Sequence, residues 1–181
     1  MSGKRSSSAA GGGKATAGDV VIEHPAKSDG AALWRIARDS QKLDLNSSYA
    51  YLLWCQDFAD TSVIARLDGL PVGFIIGYRK QSASDTAVVW QVAVDAAARG
   101  RGLGGRMLDS MYADLLDTGV RYLETTITPD NEASIAVFSS FADRWQTRLV
   151  RSDLFTVDDF PDGHEQEDLY RIGPLETPPT G

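Results

Sequence analysis

The strongest constraint on this chain is a loop rich in glycine and arginine that joins a β-strand pattern to an amphipathic helix. It lies within residues 92–106, which read Val-Ala-Val-Asp-Ala-Ala-Ala-Arg-Gly-Arg-Gly-Leu-Gly-Gly-Arg. Glycines let a ligand approach the backbone N–H groups closely, and a helix N-terminus attracts an anion through its unpaired donors and its dipole. Arg99, Arg101 and Arg106 add side chains that bind phosphate oxygens. We therefore predict a phosphate-binding loop; the alternative is a glycine-rich turn with solubilising arginines.

Two common phosphate-binding loops do not fit this pattern. A Walker loop needs Lys and then Ser or Thr after its last glycine, whereas Gly105 and Arg106 follow Gly104 here. A dinucleotide-binding loop follows the first strand of a βαβ unit, whereas this loop follows a later strand and a hairpin pattern. Both classes are therefore disfavoured, and a nucleotide-phosphate binder of another kind stays as an alternative.

The charge balance disfavours nucleic acid as a partner and favours a cationic ligand. The 181 residues contain 18 Lys and Arg against 25 Asp and Glu, a net charge of −7, whereas a nucleic-acid binder needs a basic face.

No apolar run reaches the ~20 residues of a membrane span. Cys55 is the only cysteine, which excludes an intramolecular disulfide and a multi-cysteine zinc site. We expect a cytoplasmic protein with no metal and no membrane partner.

The uneven distribution of charge marks three segments. Residues 1–18 contain three basic residues and no acid, and their Ser, Gly and Ala content predicts a disordered extension. Residues 19–173 are expected to form one domain, with 15 basic and 24 acidic residues, a net of −9. Residues 174–181 are rich in proline and predict a flexible tail. Six of the domain's acids fall within 158–168, with no Lys or Arg among them.

Hydrophobic periodicity and turn residues predict alternating strands and helices. Strands are expected at 20–22, 61–67, 72–78, 86–95, 121–128, 147–157 and 168–172, and helices after Ser28, at 48–58, at 104–117 and from Asn131 to Trp145. Asp68 and Gly69 are a hairpin-turn signal. Alternate residues from Val88 to Val94 are expected on one strand face. The order of elements predicts a single α/β or α+β domain, with a mixed, mostly antiparallel sheet and helices on both faces.

The loop and its flanks resemble the acetyl-CoA site of the GNAT family of N-acetyltransferases. The hexapeptide at 99–104 is similar to the family's pyrophosphate-binding motif, and it lies after the strand at 90–94 and before the helix that Asn131 caps. The resemblance covers residues 19–157 and implies a GNAT-like fold with acetyl-CoA as co-substrate. It implies that the loop's N–H groups hold the pyrophosphate and that the strand binds the pantetheine arm. The residues so implied are Val92, Ala93, Val94, Arg99, Gly100, Arg101, Gly102, Leu103, Gly104, Asn131 and Phe138.

The reaction that this family implies is direct attack of an amine on the thioester. A fixed backbone donor stabilises the charge that builds on the carbonyl oxygen, and the attacking ammonium must first lose a proton. Many members carry a Tyr seven residues after the capping Asn, as the acid for the departing thiolate, but Phe138 stands there in this chain. Water or another side chain must replace that acid, or the thiolate leaves unassisted. We expect Phe138 to pack against the pantetheine and Cys55 to be a buried structural thiol.

Four further segments are similar to a branch of the family that acetylates the γ-amino group of L-2,4-diaminobutyrate, on the route to the compatible solute ectoine. They are residues 43–49, 90–94, 124–129 and 162–167. By this resemblance the substrate-binding residues are Asp44 and Glu167 at the ammonium groups, Trp90 as an apolar wall, and Tyr49 and His164 along the pocket. His164 and Glu167 are also the candidate catalytic bases, with proton removal through water as the alternative.

Each of these residues also has a purely structural interpretation, and other functions stay open. Trp90 and Tyr49 are typical core residues, and the acids at 158–168 are typical of a solvated loop. The same chemistry on a polyamine or a protein N-terminus is a close alternative, and the absent tyrosine leaves room for a non-catalytic acyl-CoA-binding module. Dimers are common in the family, so we expect a homodimer that acts in osmoadaptation.

Overall fold

Each sequence stretch rich in β-branched residues becomes a strand of one sheet. A computed structural model of the chain describes residues 18–176. Its strands are β1 Val20–Glu23, β2 Val63–Leu67, β3 Leu70–Arg79, β4 Thr86–Val94, β5 Tyr122–Ile127, β6 Leu149–Phe155 and β7 Glu167–Ile172. Its helices are α1 Gly30–Ser40, α2 Ser48–Asp57, α3 Leu103–Asp117 and α4 Glu132–Arg144. No helix in that range is long and apolar enough to cross a membrane.

The seven strands form one mixed sheet, in the order β1-β2-β3-β4-β5-β7-β6. Within the described residues, β4 and β5 run parallel and the other neighbouring pairs are antiparallel. β7 folds back between β5 and β6, which leaves β6 at the edge of the sheet. The predicted α/β or α+β domain with a mostly antiparallel sheet is confirmed.

The parallel pair is short, and this leaves an opening in the sheet. Its register runs from Thr86 opposite Tyr122 to Val89 opposite Thr125. β4 continues beside β3 as far as Val94, so its last residues have no β5 partner within the described chain. Because backbone N–H and C=O groups need hydrogen-bond partners, the free edge of β4 is suited to bind a ligand.

Helices cover both faces of the sheet, as predicted. α3 and α4 pack on one face, here named the α3 face, over a core that contains Met107 and Phe141. α1 and α2 pack on the opposite α2 face, over a core that contains Leu33, Ile36 and Phe74. Leu33 and Ile36 lie three residues apart on α1 and are fully buried, and each such side chain contributes about 1.5–3 kcal/mol by leaving water.

The expectation that alternate residues from Val88 to Val94 share one face of β4 is wrong, because a β-bulge interrupts the strand. Val89 and Gln91 of β4 pair with Gly77 and Ile76, which are consecutive in β3. Trp90, between Val89 and Gln91, therefore has no partner on β3. The extra residue reverses the alternation. Val92 consequently packs against the α3-face core, whereas Trp90 lies beside Trp54 of α2, with ring centroids 6.2 Å apart.

Helix starts follow local capping signals, with one exception. Asn131 caps α4 as predicted, since its side-chain oxygen accepts the backbone N–H of Ser134 at 3.1 Å. Ser28 is not the N-cap of α1, because a short 3₁₀ turn that ends at Asp29 comes first. The Asp29 carboxylate accepts the Ala26 N–H at 2.9 Å and so closes that turn.

The predicted flexible tail at 174–181 is wrong for its first residues. Leu175 is fully buried in the α3-face core, and its N–H donates to the Arg121 carbonyl at 2.7 Å. The Pro174 carbonyl accepts the Thr147 hydroxyl at 2.8 Å. The domain therefore extends beyond residue 173, since Leu175 packs in its core. The rest of the predicted tail, 177–181, and residues 1–17 of the predicted extension lie outside the described chain.

Candidate active site

A cleft with a volume of about 820 Å³ lies between the end of β4 and the first turns of α3 and α4. Ten of the eleven residues predicted to bind CoA line it, namely Val92, Ala93, Val94, Arg99, Gly100, Gly102, Leu103, Gly104, Asn131 and Phe138. The eleventh, Arg101, does not line it. Sequence reasoning did not assign to CoA the opposite wall, which includes Ser40 at the end of α1 and Lys42 and Leu43 in the loop that follows. That wall has no local signal, since tertiary packing alone brings α1 to the cleft.

The glycine-rich loop has the backbone shape that an anion site requires. Gly100 and Gly102 have φ values of 77° and 68°, a region that only glycine adopts without strain. The first helical hydrogen bond of α3 runs from the Arg106 N–H to the Gly102 carbonyl, at 3.1 Å. The three preceding N–H groups therefore have no acceptor within the helix and can bind phosphate oxygens.

The free edge of β4 and the side chain of Phe138 form the inner part of the cleft. Val92, Ala93 and Val94 line the cleft beyond the last β4–β5 pair, where a backbone donor can reach a thioester carbonyl. Phe138 on α4 is almost fully buried and belongs to the α3-face core. It thus offers an apolar wall and no proton donor, as the sequence led us to expect.

The acidic loop before β7 folds onto the loop between α1 and α2. The His164 Nε2 lies 2.9 Å from the Asp44 Oδ2 and 3.7 Å from the Glu167 Oε1. The ring of His164 stacks on Phe160, with centroids 4.5 Å apart. Three of the five residues predicted to bind substrate are thus in contact, although 120 positions separate Asp44 from His164.

The surroundings of His164 favour its protonated form. Its Nδ1 faces the Glu165 backbone carbonyl at 2.7 Å, and this contact is the main cause that raises the pKa of the imidazole above 6.5. The Asp44 and Glu167 carboxylates raise the pKa further, while burial opposes them. The ring therefore loses its proton at a higher pH than an ordinary imidazole does, and a cation that takes Asp44 from it would lower that pH.

A buried polar pair fixes the Asp44 loop on the sheet. The Gln91 amide donates to the Asp44 backbone carbonyl at 2.9 Å, and the Tyr51 hydroxyl donates to the Gln91 Oε1 at 3.0 Å. Both side chains are buried. Sequence reasoning missed both, although a glutamine among the apolar residues of β4 is itself a signal, since a buried amide needs polar partners. The same loop lines the cleft at Leu43, so the cleft and the acidic cluster share one wall.

The two predicted aromatic residues lie at the surface of the α2 face. Trp90 is 54% exposed, and Tyr49, near the start of α2, is 65% exposed. Neither is a core residue, so the structural interpretation of both is wrong. Within residues 18–176 no hydrogen bond joins the Tyr49 side chain to Asp44, His164 or Glu167.

Cys55 takes no part in the site. It lies on α2 within the α2-face core and is almost fully buried, as expected for a structural thiol. Burial raises the pKa of the thiol to about 11, so it stays protonated near neutral pH. No group of three His, Cys, Asp or Glu side chains within residues 18–176 could hold a metal ion.

Several known proteins are similar to this chain in sequence. The L-2,4-diaminobutyric acid acetyltransferase of Streptomyces coelicolor is 58% identical over 87% of this chain and 94% of its own length. The enzyme of the same name from Virgibacillus pantothenticus is 44% identical over 83% of this chain and 96% of its own.

Solved structures and a family profile agree with these relatives. The diaminobutyrate acetyltransferase of Paenibacillus lautus, solved with L-2,4-diaminobutyric acid and coenzyme A, matches with a TM-score of 0.83 and 38% identity, over 88% of this chain and 98% of its own. Ard1 of Thermoplasma volcanium shares the fold at 17% identity, with a TM-score of 0.69 over 84% of this chain and 95% of its own. The sequence profile of the acetyltransferase (GNAT) family matches residues 31–142. The resemblance inferred from the glycine-rich loop is therefore confirmed, and the chain belongs to the GNAT family of acetyltransferases, enzymes that use acetyl-CoA.

Proposed function

We propose that this enzyme transfers the acetyl group of acetyl-CoA to the γ-amino group of L-2,4-diaminobutyrate, giving Nγ-acetyldiaminobutyrate and CoA. The observation that carries the proposal is the contact of Asp44, His164 and Glu167 beside the cleft. Two carboxylates on the side of the sheet that also carries the exposed indole of Trp90 suit a small amino acid with two ammonium groups. The names of relatives up to 58% identical support the same substrate.

In the proposed reaction, the γ-nitrogen attacks the thioester carbonyl, a C–N bond forms and the C–S bond breaks. The N–H groups at the start of α3 hold the pyrophosphate of CoA. A backbone N–H on the free edge of β4 donates to the carbonyl oxygen as negative charge builds on it, which lowers the barrier. The acetyl group passes directly to the amine, so no protein nucleophile is needed and Cys55 stays unused.

Proton removal from the ammonium is assigned to Glu167 and His164. A substrate ammonium that pairs with Asp44 takes the place of the His164 ring, whose Nε2 then becomes an acceptor. Glu167 lies 3.7 Å from that nitrogen and is mostly covered, so it can pass a proton to the ring or receive one. Phe138 supplies no acid to the departing thiolate, which takes its proton from water or from another side chain.

The proposal extends to the setting of the enzyme. The product is an intermediate of ectoine synthesis by the sequence resemblance, which implies a cytoplasmic role in osmoadaptation.

We also propose a homodimer. The edge strand β6 exposes Val150, Leu154 and Phe155, each at 44% or more, and unpaired edges with apolar side chains favour association. Light scattering after size exclusion tests this, and a monomer at micromolar concentration would contradict it.

The activity is tested with purified protein, acetyl-CoA and a panel of amines, followed by thiol release and by mass spectrometry of the product. The panel contains L-2,4-diaminobutyrate, a polyamine and a peptide with a free N-terminus. We expect a clear preference for diaminobutyrate and acetylation at the γ-nitrogen. A preference for another amine would replace the substrate, and CoA binding without thiol release would favour the non-catalytic module.

A matched pair of variants tests the proposed bases. Glu167→Gln is expected to lower kcat by about 10²- to 10⁴-fold, the usual contribution of a general base. Glu165→Gln is the control, because Glu165 is exposed on the same loop and its side chain makes no hydrogen bond in the described structure. An equal loss of kcat in Glu167→Gln and Glu165→Gln would mean that the loop matters only for folding.

A further inference from the structure

Two cations lie on the α2 face around one buried carboxylate. The Glu124 side chain on β5 is almost fully buried, and it accepts hydrogen bonds from the Lys80 Nζ, at 2.5 Å, and from the Arg171 Nη1. The Arg171 guanidinium also stacks over the Tyr122 ring, 4.1 Å from its centroid. Each oxygen of Glu124 thus accepts a hydrogen bond from a different cation, and the carboxylate holds the two cations in fixed positions. The cluster carries a net charge of +1.

The strand register brings this cluster to the side of the proposed substrate pocket. Glu124 lies opposite Val88 of β4 and Arg171 of β7, and directly opposed residues project to the same face. Val88 also lies opposite Tyr78, whose ring is 6.4 Å from that of Trp54, the neighbour of Trp90. The cations and the exposed indole therefore share the α2 face.

The same face carries the acidic cluster at its other end. Glu167 and Arg171 lie four residues apart on β7, so both project to one face at a spacing of about 13 Å between their Cα atoms. The two side chains point onto a surface that Trp90 borders. Because Arg171 is a cation and Glu167 an acid, a ligand that spans the space between these side chains would place its negative end at Arg171 and its positive end at Glu167.

We propose that Arg171 and Lys80 bind the α-carboxylate of the amino acid substrate, an inference that rests on the proposed function. Diaminobutyrate has one carboxylate, and Asp44 and Glu167 repel it. Lys80 and Arg171 are each 38% exposed in their side chains, and each has N–H groups beyond the one that Glu124 accepts. With the carboxylate held there, the γ-nitrogen extends towards His164 and the opening between β4 and β5. The cluster would thus select amino acids over simple diamines and select the γ-nitrogen.

The test compares L-2,4-diaminobutyrate with 1,3-diaminopropane, which has the same two amines and no carboxylate. We expect the wild-type enzyme to prefer the amino acid. Lys80→Gln and Arg171→Gln should each raise KM for diaminobutyrate 10- to 100-fold and leave kcat/KM for diaminopropane within threefold. Mass spectrometry of the diaminobutyrate product should show some α-acetylation in these variants.

Arg151→Gln is the matched control. Arg151 is also an arginine that pairs with a nearly fully buried carboxylate, Asp168, but both residues lie on the α3 face. The Arg151→Gln protein should be less stable than the wild type and should keep the wild-type preference for diaminobutyrate over diaminopropane. Arg171→Lys, which keeps a charge beside Glu124, should retain part of the preference.

The outcomes separate this inference from the proposed function. If both Lys80→Gln and Arg171→Gln keep the wild-type preference for diaminobutyrate over diaminopropane, the carboxylate site is wrong and the proposed function stands. A wild-type enzyme that acetylates neither amine would overturn the function and the inference with it. If Arg171→Gln fails to fold, Lys80→Gln decides, because it keeps the Arg171–Glu124 pair.

Discussion

Gly102 offers a test of the cofactor loop in which conformation and ligand contact can be separated. Its φ is 68°, and a methyl group added there would meet no heavy atom within 4 Å. Gly102→Ala therefore causes no clash, but alanine in this left-handed region costs about 1–2 kcal/mol. For a chain of this size that lowers Tm by roughly 2–8 °C. Relaxation of the loop would also turn N–H groups away from the phosphates, and losing one charge-assisted hydrogen bond of about 1.5–3 kcal/mol weakens CoA binding roughly 10- to 100-fold.

Gly119 is the matched control, because it has the same kind of backbone at a place far from the cleft. Its φ is 90° and its surroundings are equally open, and it follows the C-terminus of α3 rather than the N-terminus. Gly119→Ala should lose similar stability and bind CoA as the wild type does. Differential scanning fluorimetry measures Tm, and titration calorimetry with CoA measures Kd. The assignment of this loop to CoA binding would be refuted if Gly102→Ala bound CoA with a Kd within threefold of wild type. It would also be refuted if Gly119→Ala weakened CoA binding as much as Gly102→Ala does.

Three other predictions address the acidic cluster, the thiol and the C-terminal segment. The Glu165 carbonyl and, after it, the Asp44 carboxylate raise the pKa of His164 above its ordinary value. The rising limb of kcat/KM against pH should therefore move to lower pH in Asp44→Asn, and an unmoved limb would exclude His164 as the base. Cys55, whose pKa is raised to about 11, should resist alkylation by iodoacetamide at pH 8 in the folded protein, as intact-mass spectrometry would show. Leu175→Ala should lower the free energy of unfolding in urea by about 2–5 kcal/mol, whereas a residue in a flexible tail would change it by less than about 0.5 kcal/mol.

Local chemistry explains which features could be predicted from the sequence. Asn131 caps α4 through a hydrogen bond to a residue three positions on. The turn at Asp68 and Gly69 has φ values of 50° and 80°, the conformation that this dipeptide favours in a hairpin. The order of strands and helices follows from periodicity, because burial of one face repeats every two or 3.6 residues. Each of these signals acts within a few residues of its own position.

Features that depend on distant partners could not be predicted in the same way. The bulge at Trp90 depends on how β4 pairs with β3, where Gly77 and Ile76 lie 12 and 15 positions before their partners Val89 and Gln91. The placement of β7 between β5 and β6 decides that Arg171 faces Glu124. Leu175 packs in the α3-face core, where its N–H donates to the carbonyl of Arg121, more than fifty positions earlier. In each case the alternating or polar pattern is compatible with several arrangements, and packing selects one of them.

The six acids at 158–168 illustrate how one pattern divides into different roles. Asp159 closes a 3₁₀ turn, where its carboxylate accepts the Thr156 N–H at 2.7 Å. Asp168 is buried and paired with Arg151 on the α3 face. Glu167 is next to it in sequence, but on a strand it points to the opposite face, where it meets His164. A net charge cannot separate these cases, because alternation along β7 assigns one acid to stability and its neighbour to the pocket. The acidity of the segment therefore indicates a cationic substrate only through Glu167, and reversing the order of Glu167 and Asp168 would remove that carboxylate from the pocket without changing the net charge.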